Sequence, residues 1–395
     1  MLPAGRAMIA KHVLSEIHET PDGLAYVGGL VGQAGRATRF GVVDAQGNVA
    51  PHSDFRTTFA RSIWPKGPID VPENIIRLEG PALFAGCINH MFGHLLTSAL
   101  GRIWAVDRLP PDTTLHYLVR LHLKTKSEAI AATLYKINAL FGVKNPILVT
   151  YDSVQADPYY TAQDRYGEAW FGGADTHFVQ WVQKRTAQYR SIPIVPGKKL
   201  FVSRFRMPTN TGGIACEDIL TRNFEAAGFE VFAPEEHSIE EQARQYSESE
   251  MIVFTEGSAL HLYSFLKKPE QKIAIIQRRE MVSKMITSQF YAFDPQPALF
   301  LNVIDRMLFP AVVHTNQQIA LINFQKCFDA LCLFGFLDQN TDWYVPSETE
   351  IAEFIAERQR DQILFETEDE WQSWRGDFRK RKQALRARRL EARSK

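Results

Sequence analysis

The feature that most constrains this chain is a regular alternation of short β-type runs with helical patterns between Lys199 and Ile276. A strand over Lys199–Ser203 is followed by a helix near Cys216–Ala227 and a strand over Phe229–Phe232. Then come a helix over Ile239–Ser247, a strand over Met251–Phe254, a helix over Gly257–Leu266 and a strand over Lys272–Ile276. Parallel strands need a crossover of a dozen or more residues, usually a helix, between them. The alternation therefore predicts a doubly wound parallel α/β domain.

Upstream, strands at Leu115–Leu121 and Pro146–Tyr151 flank a helix from about Ser127 to Phe141, one further β-α-β unit. The first eighty residues read as strands and hairpins, with runs at Gly23–Val27 and Phe40–Asp44 and a turn at Ala45–Asn48. A helix is predicted from Asn89, as its cap, to about Asp107. Met91, Phe92, Leu95, Leu96, Leu100, Ile103 and Trp104 fall on one face, and His90, His94, Ser98 and Arg102 on a polar stripe. An interdomain connection is placed near Pro193–Gly197, and beyond Phe300 the chain turns helical through Ile319–Phe336 and Glu348–Phe365. The expected domains are 1–192, 193–310 and a helical extension 311–395 with a basic tail.

Several classes are excluded. Gly29, Gly32 and Gly35 are not a G-x-G-x-x-G fingerprint and no P-loop motif occurs, so kinase-like and dinucleotide-binding readings lose their main support. The 45 basic and 45 acidic side chains rule out a wholesale nucleic-acid binder. The balance hides an asymmetry: residues 376–395 hold nine Lys or Arg and two Asp or Glu, which leaves 36 basic and 43 acidic groups before them. That tail, preceded by Trp371 and Trp374, reads either as a surface for an anionic membrane or as a basic helix docked on the acidic body. Four cysteines without C-x-x-C spacing read as reduced thiols, and neither a secretory signal nor a membrane span is evident. A cytoplasmic protein is expected, peripheral on the inner membrane face if the tail engages it.

In an open parallel sheet, ligands gather outside the carboxyl ends of the strands. Two such places carry chemistry. Ser203, Arg204 and Arg206 follow one strand and offer a hydroxyl and two guanidinium forks; Glu256, Gly257 and Ser258 follow another, where Gly257 permits a tight turn and a helix begins. Together they are expected to hold a diphosphate, with Glu256 facing a ribose or sugar hydroxyl because a carboxylate repels phosphate. Taken alone, Arg204 and Arg206 read equally well as a surface ion pair, and Glu256–Ser258 as a capped helix start. His90 and His94 have the i, i+4 spacing of a metal pair but lack H-E-x-x-H and a third ligand, so no metal site is expected. His94 reads either as a helix-face polar residue or as a general base.

These residues carry a family resemblance. Lys199–Arg204, Glu217, Ala227–Val231, Pro234, Gln242 and Glu256–Leu260, with Phe92–Leu96 and Arg102–Trp104 upstream, resemble glycosyltransferase family 61, above all its bacterial members in capsular polysaccharide biosynthesis. The resemblance implies a GT-B architecture, two Rossmann-like domains facing a cleft, with a nucleotide-sugar donor in the C-terminal domain. It also implies an inverting transfer without metal or other cofactor onto a glycan or lipid-linked acceptor. His94 is then the base, Arg204 and Arg206 the diphosphate clamp, Gly257 and Ser258 the phosphate contact at the helix end, and Ser203 and Glu256 further donor contacts. Two departures stand out: the family's acidic residue four positions after the histidine is Ser98 here, and its His-Gly before the last helix is Glu256-Gly257. The first calls for an acidic group from another segment to orient His94. Both also motivate a rival reading, a noncatalytic glycan- or nucleotide-binding protein on the same scaffold.

Overall fold

The computed structural model describes residues 16–31, 37–64, 72, 74–170, 172–208, 211–280, 284–311, 317–361 and 363–377. The basic tail lies outside them except for Gly376 and Asp377. Contacts divide the chain into two compact units, Met1–Arg185 and Thr186–Lys395; the sequence expectation sets its first boundary at 192/193. No described helix is long and apolar enough to cross a membrane.

In the first unit the strands are β1 (Ile17–Thr20), β2 (Gly23–Val31), β3 (Ala37–Val43), β4 (Arg61–Ile63), β5 (Ile75–Arg77), β6 (Ala82–Ile88), β7 (Thr114–Val119), β8 (Ile147–Thr150), β9 (Ser153–Ala156) and β10 (Tyr159–Ala162). Its helices are α1 (Phe92–Ser98), α2 (Ser127–Leu140) and α3 (Thr176–Arg185). One sheet has the order β1-β10-β6-β7-β8, with β10, β6, β7 and β8 mutually parallel and β1 antiparallel at the edge. The chain passes from β6 to β7 and β8 on one side, whereas β10 lies on the other flank of β6, so the order reverses between β6 and β10. The second sheet, β4-β3-β2-β9-β5, takes up the hairpin-rich N-terminal part. Its turn is held by the Asp44 carboxylate, which accepts from the backbone N–H of Gln46 and Asn48 at 2.9 and 2.8 Å.

The second unit contains α4 (Ala187–Arg190), β11 (Val195–Val202), β12 (Gly213–Ile214), α5 (Glu217–Ala226), β13 (Glu230–Phe232), α6 (Ile239–Glu248), β14 (Ser249–Thr255) and α7 (Ala259–Tyr263). It continues through β15 (Lys272–Ile276), α8 (Lys284–Phe293), β16 (Leu299–Leu301), β17 (Ile304–Pro310), β18 (Ile319–Ile322), α9 (Phe324–Leu333), α10 (Glu348–Asp361) and β19 (Leu364–Phe365). Its main sheet, β13-β11-β14-β15-β16, is parallel throughout. Numbered from its own first strand the order is 2-1-3-4-5, the doubly wound pattern whose switch point lies between β11 and β14. Phe201 of β11 stacks on Phe224 of α5 with ring centroids 4.1 Å apart, one of the contacts that seat the helix on the sheet.

Mixed α/β architecture is thus as expected, and three expectations are corrected. The helix predicted over Asn89–Asp107 is α1 followed by a 3₁₀ turn over Ile103–Arg108, and α1 is preceded by Met91, not capped by Asn89. The side chains of Thr97 and Ser98 turn back onto the carbonyls of Gly93 and His94, and Arg102 is drawn inward to Asp164 at 2.9 Å. Arg102 is only 3% exposed, with Nε on the carbonyl of Ala162, so it is an anchor and not part of a solvated stripe. The helical pattern over Ile319–Phe336 divides into β18 and α9, because the Asn323 side chain accepts from the N–H of Lys326 and starts the helix there. The third correction is Glu348–Phe365, which ends in a strand, since β19 pairs with β17.

One close approach sets the geometry of the first unit. Gly167 has φ +91°, and a Cβ there would lie 1.8 Å from the carbonyl oxygen of Thr97. Only glycine lets the segment after β10 lie against α1. Gly167→Ala is expected to destabilise the protein by about 2–4 kcal/mol, combining overpacking with left-handed backbone strain. Chemical denaturation showing no loss would contradict that packing.

Candidate functional site

Each unit presents its chemistry at the carboxyl ends of adjacent parallel strands, and the two constellations are described separately. In the first, β6 delivers the chain to α1, which buries Leu95, Leu96 and Thr97 and leaves the His94 side chain 20% exposed. Glu168 comes from the turn that follows β10, the parallel neighbour of β6. Its Oε1 lies 2.7 Å from His94 Nδ1 and its side chain is 2% exposed. The other oxygen, Oε2, accepts the backbone N–H of Thr58. The Phe59 ring meets the imidazole edge-on, with centroids 4.5 Å apart. A carboxylate held from two sides fixes the ring: the Nδ1 proton faces Glu168, and the lone pair is left on Nε2. The acidic group that the sequence called for from another segment is therefore present, as Glu168.

The surroundings bear on what this pair can do. Burial, reinforced by the Glu168 charge, pushes the neighbouring Cys87 thiol up to about 12, so that cysteine stays protonated and is no nucleophile. His90 is exposed and bonded to Asn89 Oδ1 at 2.8 Å.

In the second unit Arg204 follows β11. Its backbone N–H donates to Glu217 Oε1 at 2.7 Å and its Nη2 to the carbonyl of Gly212 at 3.1 Å, while Nε is buried without a hydrogen-bond partner. Gly257 follows β14, and a Cβ there would lie 2.8 Å from Arg204 Nη1. The glycine makes room for the guanidinium; its φ is not positive, so the tight-turn reason expected for it does not apply. The helix expected over Gly257–Leu266 is only Ala259–Tyr263, preceded by Ser258 without a side-chain cap bond. With so few aligned peptides it offers little of the expected helix-end field.

Glu256 is completely buried. Its Oε1 accepts from Arg279 Nε at 3.0 Å and from Arg279 Nη2, and its Oε2 accepts from the N–H of Arg278 at 3.2 Å. Both carboxylate oxygens are thus engaged by the segment that follows β15, and the expected sugar contact is replaced by a buried ion pair. Arg206 departs as well. It is half exposed and forms a surface pair in which Nη1 donates to both Glu236 oxygens, at 2.6 and 2.8 Å, the bland alternative for that residue. Ser203 is fully buried, its Oγ lying 3.3 Å from both Glu217 Oε1 and Thr221 Oγ1 and accepting the N–H of Phe205, so it shapes the turn after β11.

At the switch point, therefore, Arg204 gathers with Arg278 and Arg279, opposed by Glu217 and Glu256. Burial lowers Arg204 below the ordinary arginine range, and the Arg279 charge adds to this against Glu217, Glu235 and Glu256. Burial, then the charges of Arg204 and Arg279, lowers Arg278 to about 9, still cationic at neutral pH. Glu217 is shifted up by burial, opposed by the Arg204 N–H. Three guanidinium groups thus share this region with the carboxylates of Glu217, Glu235 and Glu256. The sequence reading misses Arg278 and Arg279 although the signal is present: they stand directly after a predicted strand, where the same rule selects Arg204.

Residues 92–273 match the family Glycosyltransferase 61. The resemblance read from the sequence is borne out over that segment, and the activity class it carries is glycosyl transfer. No curated protein matches the chain. The glycosyltransferase 61 segment contains His94, Glu168, Arg204 and Glu256 and stops before Arg278 and Arg279.

The buried pair supplies a stability test. Glu256→Gln leaves Arg279 and the N–H of Arg278 facing a neutral amide, and is expected to cost about 3 kcal/mol, the low end for breaking a buried pair because Arg279 keeps 23% exposure. A denaturation midpoint unchanged by Glu256→Gln would show that the pair contributes nothing.

Proposed function

We propose that this chain is an inverting, metal-independent glycosyltransferase of the GT-B type. In this reading it moves a sugar from a nucleoside diphosphate onto a hydroxyl of a glycan or lipid-linked acceptor, in surface polysaccharide biosynthesis. Beyond the family match, the observation that carries the reading is the His94–Glu168 pair, whose geometry suits a general base. Nε2 takes the acceptor proton as the acceptor oxygen bonds to the anomeric carbon from the face opposite the leaving group. The bond between that carbon and the diphosphate oxygen breaks, and its electron pair stays with the diphosphate. Glu168 stabilises the imidazolium that results, and the leaving charge is balanced by Arg204, Arg278 and Arg279.

Arg206, Gly257 and Ser258 enter this reading only indirectly, Gly257 as the space that Arg204 occupies. The location we propose is cytoplasmic, with residues 376–395 drawing the enzyme to an anionic leaflet; the support is the density of basic side chains there.

His94→Ala should lower turnover by roughly 10²–10⁴ and leave donor affinity little changed, and Glu168→Gln should act in the same direction. Near-normal turnover in a folded His94→Ala variant would return that histidine to a helix-face polar residue. A protein that binds nucleotide sugars but releases no nucleoside diphosphate in any assay would be the noncatalytic binder. Arg204→Ala should weaken nucleotide binding by roughly 1.5–3 kcal/mol, the range of a hydrogen bond to a charged group; unchanged affinity would remove the donor site from the second unit.

A further inference from the structure

The carboxyl ends of β6 and β7 carry a further set of groups beside the His94–Glu168 pair. The two strands are parallel and their register ends with Ile88 opposite Val119, so Asn89–Met91 and Arg120–His122 leave the sheet side by side. One end brings His90 and Met91, the other Arg120, Leu121 and His122, and the 3₁₀ turn after β7 ends on Lys126. His90, His122 and Lys126 are exposed; Arg120 is half-buried, on the wall of a small cavity that also reaches Glu168 and Ser98. Burial lowers His90 and His122 below the ordinary histidine range, and the charges that add to it are cations: Lys126, His122 and His94 around His90, Arg120 and Lys126 around His122. The nearby acids are engaged elsewhere, Asp152 with Lys124 at 2.8 Å and Glu168 with His94. Among the described residues neither Lys126 nor His122 pairs with an acid, Glu128 in the first turn of α2 included. Two large apolar side chains open to solvent in the same place, Met91 39% and Leu121 52% exposed.

Cations interleaved with exposed apolar side chains suit an anion joined to an apolar chain. A free phosphate makes no use of Leu121 and Met91, and a neutral glycan makes none of Arg120 and Lys126. We infer that the ends of β6 and β7 seat an acceptor whose phosphate is joined to an apolar chain. The phosphate rests on Lys126, His122 and Arg120, and the chain lies over Leu121 and Met91. His90 stands between this seat and the base, since the charges of Lys126, His122 and His94 all act on it, so the accepting hydroxyl belongs to a sugar near the phosphate. The inference rests on His94 as the base proposed above and names the acceptor class that the base serves, a lipid-linked one.

The test titrates the full chain with octyl phosphate, inorganic phosphate, octyl glucoside and glucuronate. Octyl phosphate is expected to bind about tenfold tighter, or more, than each of the others, because it alone meets both the cations and the apolar side chains. Lys126→Gln combined with His122→Gln, both at exposed positions, should weaken octyl phosphate by about tenfold and leave octyl glucoside unchanged. Leu121→Ser should bring octyl phosphate down toward inorganic phosphate. Arg204→Ala, in the second unit, should leave octyl phosphate unchanged, which separates this seat from the donor site. The seat is overturned if octyl phosphate affinity falls in Arg204→Ala and survives in the Lys126 and His122 variant. It is overturned equally if octyl glucoside or glucuronate binds as tightly as octyl phosphate, the first result meaning a purely apolar patch and the second an acidic glycan. Octyl phosphate bound through Lys126, together with normal turnover in His94→Ala, would remove the base and leave the seat standing.

Discussion

Parallel pairing is the constraint on which the rest depends. A parallel strand cannot be reached by a two-residue turn, so every connection crosses the sheet and returns the chain at the same end. Each strand's carboxyl end then opens into a loop, and the side chains carried there converge wherever neighbouring strands lead in opposite directions. Among the described residues there are two such points. The order β10-β6-β7-β8 reverses between β6 and β10, where His94 meets Glu168, and the order β13-β11-β14-β15-β16 reverses between β11 and β14, where Arg204 meets Gly257 and Glu256. The two constellations share a single topological cause.

Strand ends were legible in the sequence, and so was most of the topology they impose. The alternation from Lys199 to Ile276 located β11, β13, β14 and β15 to within a few residues, because each strand is a short apolar run and each helix carries a period the strand lacks. Side-chain direction was not legible. Arg204 and Arg206 stand two apart on the same loop, yet one is drawn to Gly257 and the other to Glu236. Nothing local distinguishes them; the difference lies in Gly257, 53 residues downstream, where a missing Cβ opens a space for one guanidinium. Glu168 was invisible for the same reason, since its partner is 74 residues away in sequence. The division of Ile319–Phe336 shows a different failure, an apolar run that is continuous in composition but broken by a capping side chain at Asn323.

Buried charge explains why the second constellation is built as it is. A carboxylate with no exposure persists only if its oxygens are matched, and Glu256 is matched entirely by the segment after β15. That match carries Arg279 to the switch point. Glu217 does the equivalent work for the loop after β11 by accepting the Arg204 N–H. The two carboxylates thus position cations as much as they neutralise them.

The two departures from the family pattern become intelligible in these terms. Ser98 stands where the resemblance led to the expectation of an acid, and its hydroxyl is turned back onto the carbonyl of His94, so it contributes nothing to the imidazole. The carboxylate reaches the ring from the neighbouring strand end instead, and Gly167 makes that approach possible by letting its segment lie against the carbonyl of Thr97. Glu256 stands where the resemblance led to the expectation of a histidine, and its charge is matched by Arg279 from the next strand end. In each case the altered position is accompanied by a partner from an adjacent parallel strand.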